Sequence, residues 1–250
     1  MSGFSKGDMV VVTGAGQGIG RAIAFRLAKA GASLALWDLS AGNLAETAYS
    51  CTMAGARVLV ANVDVSNPAT VDAAATAVLE ENARPFALVN NAGIFPRASL
   101  FEADAGLWQK VLGVNLIGAF NCAQALARPM MSAGRGAIIN ISSGLALEGA
   151  TRGAHYAASK AGLMALTKSL ALELAPAIRV NCVLPGITET AQPLQDMDIE
   201  RLHRIGEAVP LKRVGQSEDI AGMVAFLLSP DASYITGQSY SVSGGALMVP

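Results

Sequence analysis

The feature that most restricts this chain is the passage from an apolar run at 9–13 through Gly14-Ala15-Gly16-Gln17-Gly18-Ile19-Gly20 into an Ala-rich segment of helical period. Glycines between a strand and a helix let backbone N–H groups and a helix N-terminus approach an anion such as a pyrophosphate. The same glycines also suit a plain turn that packs strand on helix. The spacing is not G-x-G-x-x-G, because counting from Gly14 the last required glycine falls on Ile19, and no Lys-Ser/Thr follows to make a P-loop.

Beyond this turn the alternation continues. Apolar runs at 9–13, 33–37, 56–61, 86–90, 136–141, 178–184 and 239–242 predict seven strands, and segments at about 18–31, 41–54, 67–83, 104–132, 155–175 and 217–228 predict helices. Ser40, Ser66-Asn67-Pro68 and Ser217 with Glu218 and Asp219 supply helix starts, while Gly31 and Gly55 supply stops. Continuous apolar strands joined by helices require a parallel sheet covered on both faces. The expected fold class is therefore α/β, one doubly wound, Rossmann-like domain over residues 1–250, with no linker or repeat to divide it. Ligands of such sheets bind at the carboxyl edge, so the segments after 90, 141 and 184 should build the site.

Composition removes several alternatives. With 52% hydrophobic and 15% charged residues the chain can bury a large core, which excludes global disorder. Eighteen basic against nineteen acidic residues give a net charge of −1, no footprint for nucleic acid or an anionic membrane. Cys51, Cys122 and Cys182 form no Cys-x-x-Cys pair and no zinc pattern, so no metal is expected, and a reducing cytoplasmic setting fits. The first residues lack the charged and apolar regions of a secretory leader. The uncharged stretch 111–127, interrupted by Asn115, Asn121 and Gln124, falls short of the roughly 20 apolar residues of a span and reads as a buried helix.

Five positions carry chemistry. Asp38, at the end of the second strand, can accept both hydroxyls of an adenosine ribose and repel a 2′-phosphate, and Leu39 and Gln17 bring no cation to offset that. Capping the following helix is its other use. Tyr156 and Lys160 share one helical face. Bringing a phenol from about 10 to about 7 takes roughly 4 kcal/mol, which an ammonium about 4 Å away supplies. An ordinary exposed face would also carry such a pair. Ser143 ends the fifth strand, with Ser142 as an alternative, and Asn115 is an amide that must find partners if buried.

Together these residues resemble the short-chain dehydrogenase/reductase family of Tyr-x-x-x-Lys type. The likeness rests on Thr13-Gly14, Gly18 and Gly20, Asp64-Val65, Asn90-Asn91-Ala92-Gly93, Asn115, Ser143, Tyr156 and Lys160, and runs on through Asn181, Pro185-Gly186 and Ser243-Gly244-Gly245. It implies that Tyr156 exchanges the proton with an alcohol or ketone while hydride moves to or from nicotinamide. Lys160 would lower the Tyr156 pKa and bind the nicotinamide ribose, Ser143 would hold the substrate oxygen, and Asn115 would hold a relay water. Gly14, Gly16, Gln17, Gly18, Ile19 and Gly20 would cradle the pyrophosphate, with Asp38 and Leu39 at the ribose. Asp64 and Val65 would meet adenine, Asn91, Ala92 and Gly93 would lie along the adenosine, and Pro185, Gly186, Ile187, Thr188 and Thr190 would meet the carboxamide. Thr188 stands where the family often has Ile or Val, so that wall is more polar.

NAD is the expected cofactor, a small-molecule alcohol or ketone the expected partner, and a homotetramer built on 104–132 and 155–175 the state the resemblance implies. Substrate identity is expected from 94–100, 144–155 and 187–207, which supply Phe95, Arg97, Leu145, Leu147, Glu148, Arg152, His155, Glu189, Gln192 and Met197. A sugar- or polyol-type secondary alcohol is the first choice. A 3-oxoacyl thioester reductase would be expected to prefer NADPH and a basic docking patch, and 128–135 offers only Arg128 and Arg135. An aryl or alicyclic alcohol dehydrogenase and a non-catalytic dinucleotide-binding scaffold remain open. A serine hydrolase lacks its G-x-S-x-G.

Overall fold

The computed structural model describes residue 4 and residues 8–81, 84–195 and 197–248. Residues 82–83, at the end of the expected third helix, and 196, inside the expected substrate segment, lie outside them. Strands β1 (Asp8–Thr13), β2 (Ser33–Asp38), β3 (Val58–Asn62), β4 (Arg84–Asn90), β5 (Gly136–Ile141), β6 (Ile178–Pro185) and β7 (Ser239–Val242) form one sheet in the order β3-β2-β1-β4-β5-β6-β7. Every pairing is parallel. The chain winds outward from β1 to β3 and then returns beside β1 as β4, so a crevice opens at the carboxyl ends of β1 and β4.

Alternate side chains of the strands feed two apolar layers. Val10, Val12, Leu34 and Leu36 pack against α1 (Gly18–Lys29), α2 (Ala41–Met53) and α9 (Ser217–Leu228), where Ile23, Leu27, Leu44 and Val224 are buried. Met9, Val11, Ala35 and Trp37 face α3 (Pro68–Glu80), α5 (Gly118–Ser132) and α7 (Ala154–Leu174), through Val71, Leu126, Met130 and Leu170. Three shorter helices, α4 (Ala105–Leu112), α6 (Leu145–Glu148) and α8 (Ile199–Ala208), complete the set named here.

The structure departs from the sequence reading at definable points. β3 starts at Val58 because the Ala56 N–H still bonds the Cys51 carbonyl, 3.1 Å away, after Gly55 has turned the chain at φ +92°. Asn67 caps α3 through its side chain, but Ser40 makes no such bond, and α9 is capped by Gln216 and Asp219 acting reciprocally rather than by Ser217. The expected helix 104–132 is broken by a π-turn, Gly113–Ile117, around the buried Asn115. The continuous 105–132 stretch is apolar and long enough to cross a membrane, yet it covers the sheet with Val111, Cys122, Leu126 and Met130 fully buried.

Helix α8 lies almost wholly within 187–207, where the substrate wall but no helix is expected. Its sequence is charged, and only Leu202 and Gly206 are buried, so it offers little apolar signal. Gly206 is required there, for a Cβ would come 2.5 Å from the Val214 amide nitrogen.

Candidate active site

Two adjoining clefts open at the carboxyl ends of the strands. The first, of about 300 Å³, brings together Gly14, Gln17, Gly18, Ile19, Asp38, Leu39, Asp64, Val65, Asn91, Ala92, Gly93 and Thr190. Gly16 and Gly20 stand behind this lining. A Cβ on Gly20 would overlap the Gly14 carbonyl, and one on Gly14, which lies at φ +63°, would come 2.9 Å from Ala92 Cα. These glycines therefore hold loop, helix and β4 in close contact as well as baring the backbone. Helix α1 starts at Gln17 with no side-chain cap, leaving first-turn N–H groups for another acceptor.

Asp38 is held in place before any ligand arrives. Its Oδ2 accepts from the Gly16 N–H at 2.8 Å and its Oδ1 from the Ser40 N–H at 2.9 Å. One oxygen thus braces the entry to α2 at Ser40 while the side chain lines the first cleft. Arg21 is engaged by the Gly16 carbonyl, Thr47 and Glu46, and is not among the residues lining the cleft. Asp64 Oδ1 is taken by the amide and hydroxyl of Ser66, at 2.9 and 2.6 Å. The Asn91 amide donates to the Thr13 and Gly14 carbonyls, which ties β4 to the glycine turn. A glycine cradle, an uncapped helix N-terminus and a carboxylate fixed at the second strand end fit a dinucleotide.

The second cleft, of about 560 Å³, is lined by Ser143, Tyr156 and Lys160 together with Pro185, Gly186, Ile187, Thr188 and Thr190. Ser143 and Gln192 stand beside the Tyr156 phenol in this cleft and favour its ionised form. Ser142 is excluded as its partner, because its hydroxyl donates to the Lys160 carbonyl at 2.7 Å. Lys160 is 4% exposed and its Nζ donates to the Ile141 carbonyl at 2.8 Å, lying 5.7 Å from the centre of the Tyr156 ring. Burial pushes this ammonium down to about 8.

One expectation is corrected here. Burial pushes the Tyr156 phenol up, and the groups opposing it are Ser143, Gln192 and the Arg97 guanidinium, not Lys160. The lysine points past the ring to a backbone carbonyl, as a buried ammonium must while no other acceptor is at hand. Asn115 is satisfied by the chain itself. Its Oδ1 accepts from the Ile94 N–H at 2.8 Å, and its Nδ2 donates to the Ile94 carbonyl and the Ser159 hydroxyl, both at 3.0 Å.

Of the residues expected to read the substrate, Phe95, Arg97, Leu145, Glu148, Gln192 and Met197 line this cleft. Leu147, Arg152, His155 and Glu189 are not in its lining. Arg152 pairs with Glu102 at 2.8 Å, His155 is buried against the Pro96 carbonyl, and Glu189 accepts from Gln216. Ile205, inside the expected segment 187–207, also lines it, while Val209, Ala246 and Leu247 lie outside the segments foreseen as its wall. The tail motif held a clue, since Gly244 and Gly245, at φ +62° and +89°, turn it back onto Val209 and Pro210.

The chain matches, over residues 14–246, the family model described as enoyl-(acyl carrier protein) reductase. It is 39% identical over 248 residues to the 3-oxoacyl-(acyl-carrier-protein) reductase FabG of Chlamydia trachomatis, covering 98% of this chain and 99% of that one. It is also 39% identical over 243 residues to the L-rhamnose 1-dehydrogenase (NAD(P)(+)) of Azotobacter vinelandii, covering 94% and 95%. Among solved structures, a candidate short-chain alcohol dehydrogenase from Sinorhizobium meliloti superposes with a TM-score of 0.91 at 38% identity, covering 96% of each chain. A candidate gluconate dehydrogenase from Agrobacterium tumefaciens gives 0.93 at 31% identity, covering 98% and 97%.

Proposed function

The chain belongs to the short-chain dehydrogenase/reductase family, oxidoreductases that act on CH–OH groups with a nicotinamide dinucleotide, and we propose that it interconverts a small polar secondary alcohol and its ketone using NAD. The observation that carries this reading is the Tyr156 phenol, set beside Ser143 and Lys160 in the cleft that continues into the glycine cradle.

When bound, the dinucleotide accepts or delivers the hydride. Tyr156 takes the alcohol proton in one direction and returns it to the ketone oxygen in the other, while Ser143 hydrogen-bonds the same oxygen and stabilises the charge it gains. Lys160 holds its ammonium beside the Tyr156 ring, donating to the Ile141 carbonyl, and would hold a ribose hydroxyl of the bound dinucleotide. Asn115 keeps Gly93 and Ile94 in place, and the Gly93 Cα sits where an added Cβ would be 3.3 Å from Lys160 Nζ.

NAD is favoured over NADP by Asp38, whose oxygens are fixed by Gly16 and Ser40 and face a 2′-phosphate with like charge. For the substrate, Glu148, Thr151 and Gln192 supply polar contacts for a second hydroxyl. A 3-oxoacyl thioester is a second reading, favoured by the apolar wall of Leu145, Met197, Ile205, Val209 and Leu247. We place the protein in the cytoplasm as a homotetramer, a reading that rests on the family resemblance and on the three free cysteines.

The test is competition between substrate classes. Reduction of a short 3-oxoacyl thioester with NADH and with NADPH is compared with oxidation of a sugar and polyol panel with NAD. Turnover of polyols with NAD supports the first reading. Thioester turnover with NADPH alone overturns both the substrate and the cofactor assignment.

A further inference from the structure

We propose that Phe95 and His155 form a clamp that fixes the ring of Tyr156, with His155 a positioning residue that acts through the loop carrying Phe95. This inference rests on the reading of Tyr156 as the proton-transferring group. Phe95 lies flat on the phenol, with ring centres 3.9 Å apart and planes 10° from parallel. Near-parallel rings this close leave no space for the phenol to turn about its own axis unless Phe95 moves. The Arg97 guanidinium, 4.1 Å from the centre of the Phe95 ring, adds a third layer.

The holding groups are on both sides of Phe95. Asn115 grips the preceding residue by both its N–H and its carbonyl. On the following residue, the Pro96 carbonyl lies 2.8 Å from His155 Nε2, which must be the donor because a carbonyl only accepts. The Ala98 N–H then bonds the Arg152 carbonyl at 3.0 Å. Space for the ring is reserved as well, since a Cβ on Gly153 would come 2.6 Å from Phe95 Cε2.

His155 is 1% exposed, touches Trp108 edge-on and lines neither cleft, so it has no reach to the reacting atoms. It directly precedes Tyr156 on α7, so the same helical turn supplies the phenol and the anchor of the ring that covers it. The consequence is a phenol whose tilt and rotation are set before substrate enters, with its oxygen held toward Ser143.

Two measurements test this. The chain has four tyrosines, so ring-labelled tyrosine resolves Tyr156 by NMR. We expect slow flipping of the Tyr156 ring in the native protein and fast, averaged signals in Phe95→Leu and in His155→Leu. In turnover, Phe95→Leu lowers kcat by about tenfold or more, the scale on which misplacement of a reacting group acts, with NAD affinity held within about threefold. His155→Gln, which keeps a donor for the Pro96 carbonyl and lies outside both clefts, retains kcat within about threefold on the same reasoning. The double variant with Leu at both positions is no slower than the slower single, because one residue acts through the other.

Fast flipping in the native protein overturns the clamp, as does a folded Phe95→Leu with unchanged kcat, or losses that multiply in the double variant. If Leu at 95 does not fold, Phe95→Met is read by the same criteria. A slowly flipping Tyr156 in a protein that oxidises no alcohol leaves the clamp standing and overturns the proposed function instead.

Discussion

The two clefts are built by different means. Around the dinucleotide cleft the backbone does most of the work: Gly14 and Gly18 adopt positive φ, Gly20 packs on the Gly14 carbonyl, and Asp38 and Asn91 are fixed by bonds to main-chain atoms. Around the substrate cleft, side chains of Leu145, Glu148, Gln192, Met197, Ile205 and Leu247 converge from four separate segments. A surface made of backbone admits one ligand shape and tolerates few substitutions. A wall made of side chains changes with each of them and so adapts a common cofactor site to different alcohols.

Substitutions separate the two halves. The largest effect is expected where they meet. Tyr156→Phe should lower kcat by about a thousandfold while NAD affinity, read by fluorescence titration, stays within a few-fold. On the cofactor side, Gly14→Ala strains a φ of +63° against Ala92 and should weaken NAD binding roughly tenfold or more, with no change in substrate preference. Asp38→Ala should narrow the NAD over NADP ratio of kcat/KM by about tenfold, the scale of one partly buried charge contact. On the substrate side, Met197→Ala should shift KM for the alcohol by only a few-fold, on the order of the ~0.8 kcal/mol of one buried methylene because this side chain is half-buried, and leave NAD affinity unchanged. A Met197 variant that alters NAD binding as strongly as Gly14→Ala would erase the division.

Lys160 belongs to both halves and carries a stability cost. Its folded pKa of about 8 lies below the ordinary 10.5, so the unfolded chain binds the proton more tightly. The penalty is therefore present in full below 8 and is relieved as pH rises toward 10.5. Lys160→Met should raise the unfolding free energy at pH 7 by about 1–3 kcal/mol, an advantage that fades at alkaline pH, while turnover is lost. Denaturant melts at two pH values check it.

The division also governs what can be read from a sequence. The sheet was legible because the inner strands, such as β1, β5 and β6, are buried on both faces and read as apolar runs, and the glycine turn because φ above zero and close approach leave few other residues. Asp38, Ser143, Tyr156 and Lys160 were legible because a strand end or a four-residue helical spacing fixes where they point. Helix α8 was not, since its charged face outweighs Leu202 and Gly206. Nor was the π-turn at Asn115, which depends on bonds to Ile94 and Ser159 made across the fold. The partner of Lys160 was not legible for the same reason, because its ammonium donates to the Ile141 carbonyl on a separate strand.

The most direct test of the account is the near-ultraviolet absorbance of NADH when the protein, NAD and a panel of polyols are mixed at mildly alkaline pH, run beside Tyr156→Phe. The account predicts NADH formation by the native protein and none above background by a variant that still binds NAD. Equal rates from the two proteins would contradict it.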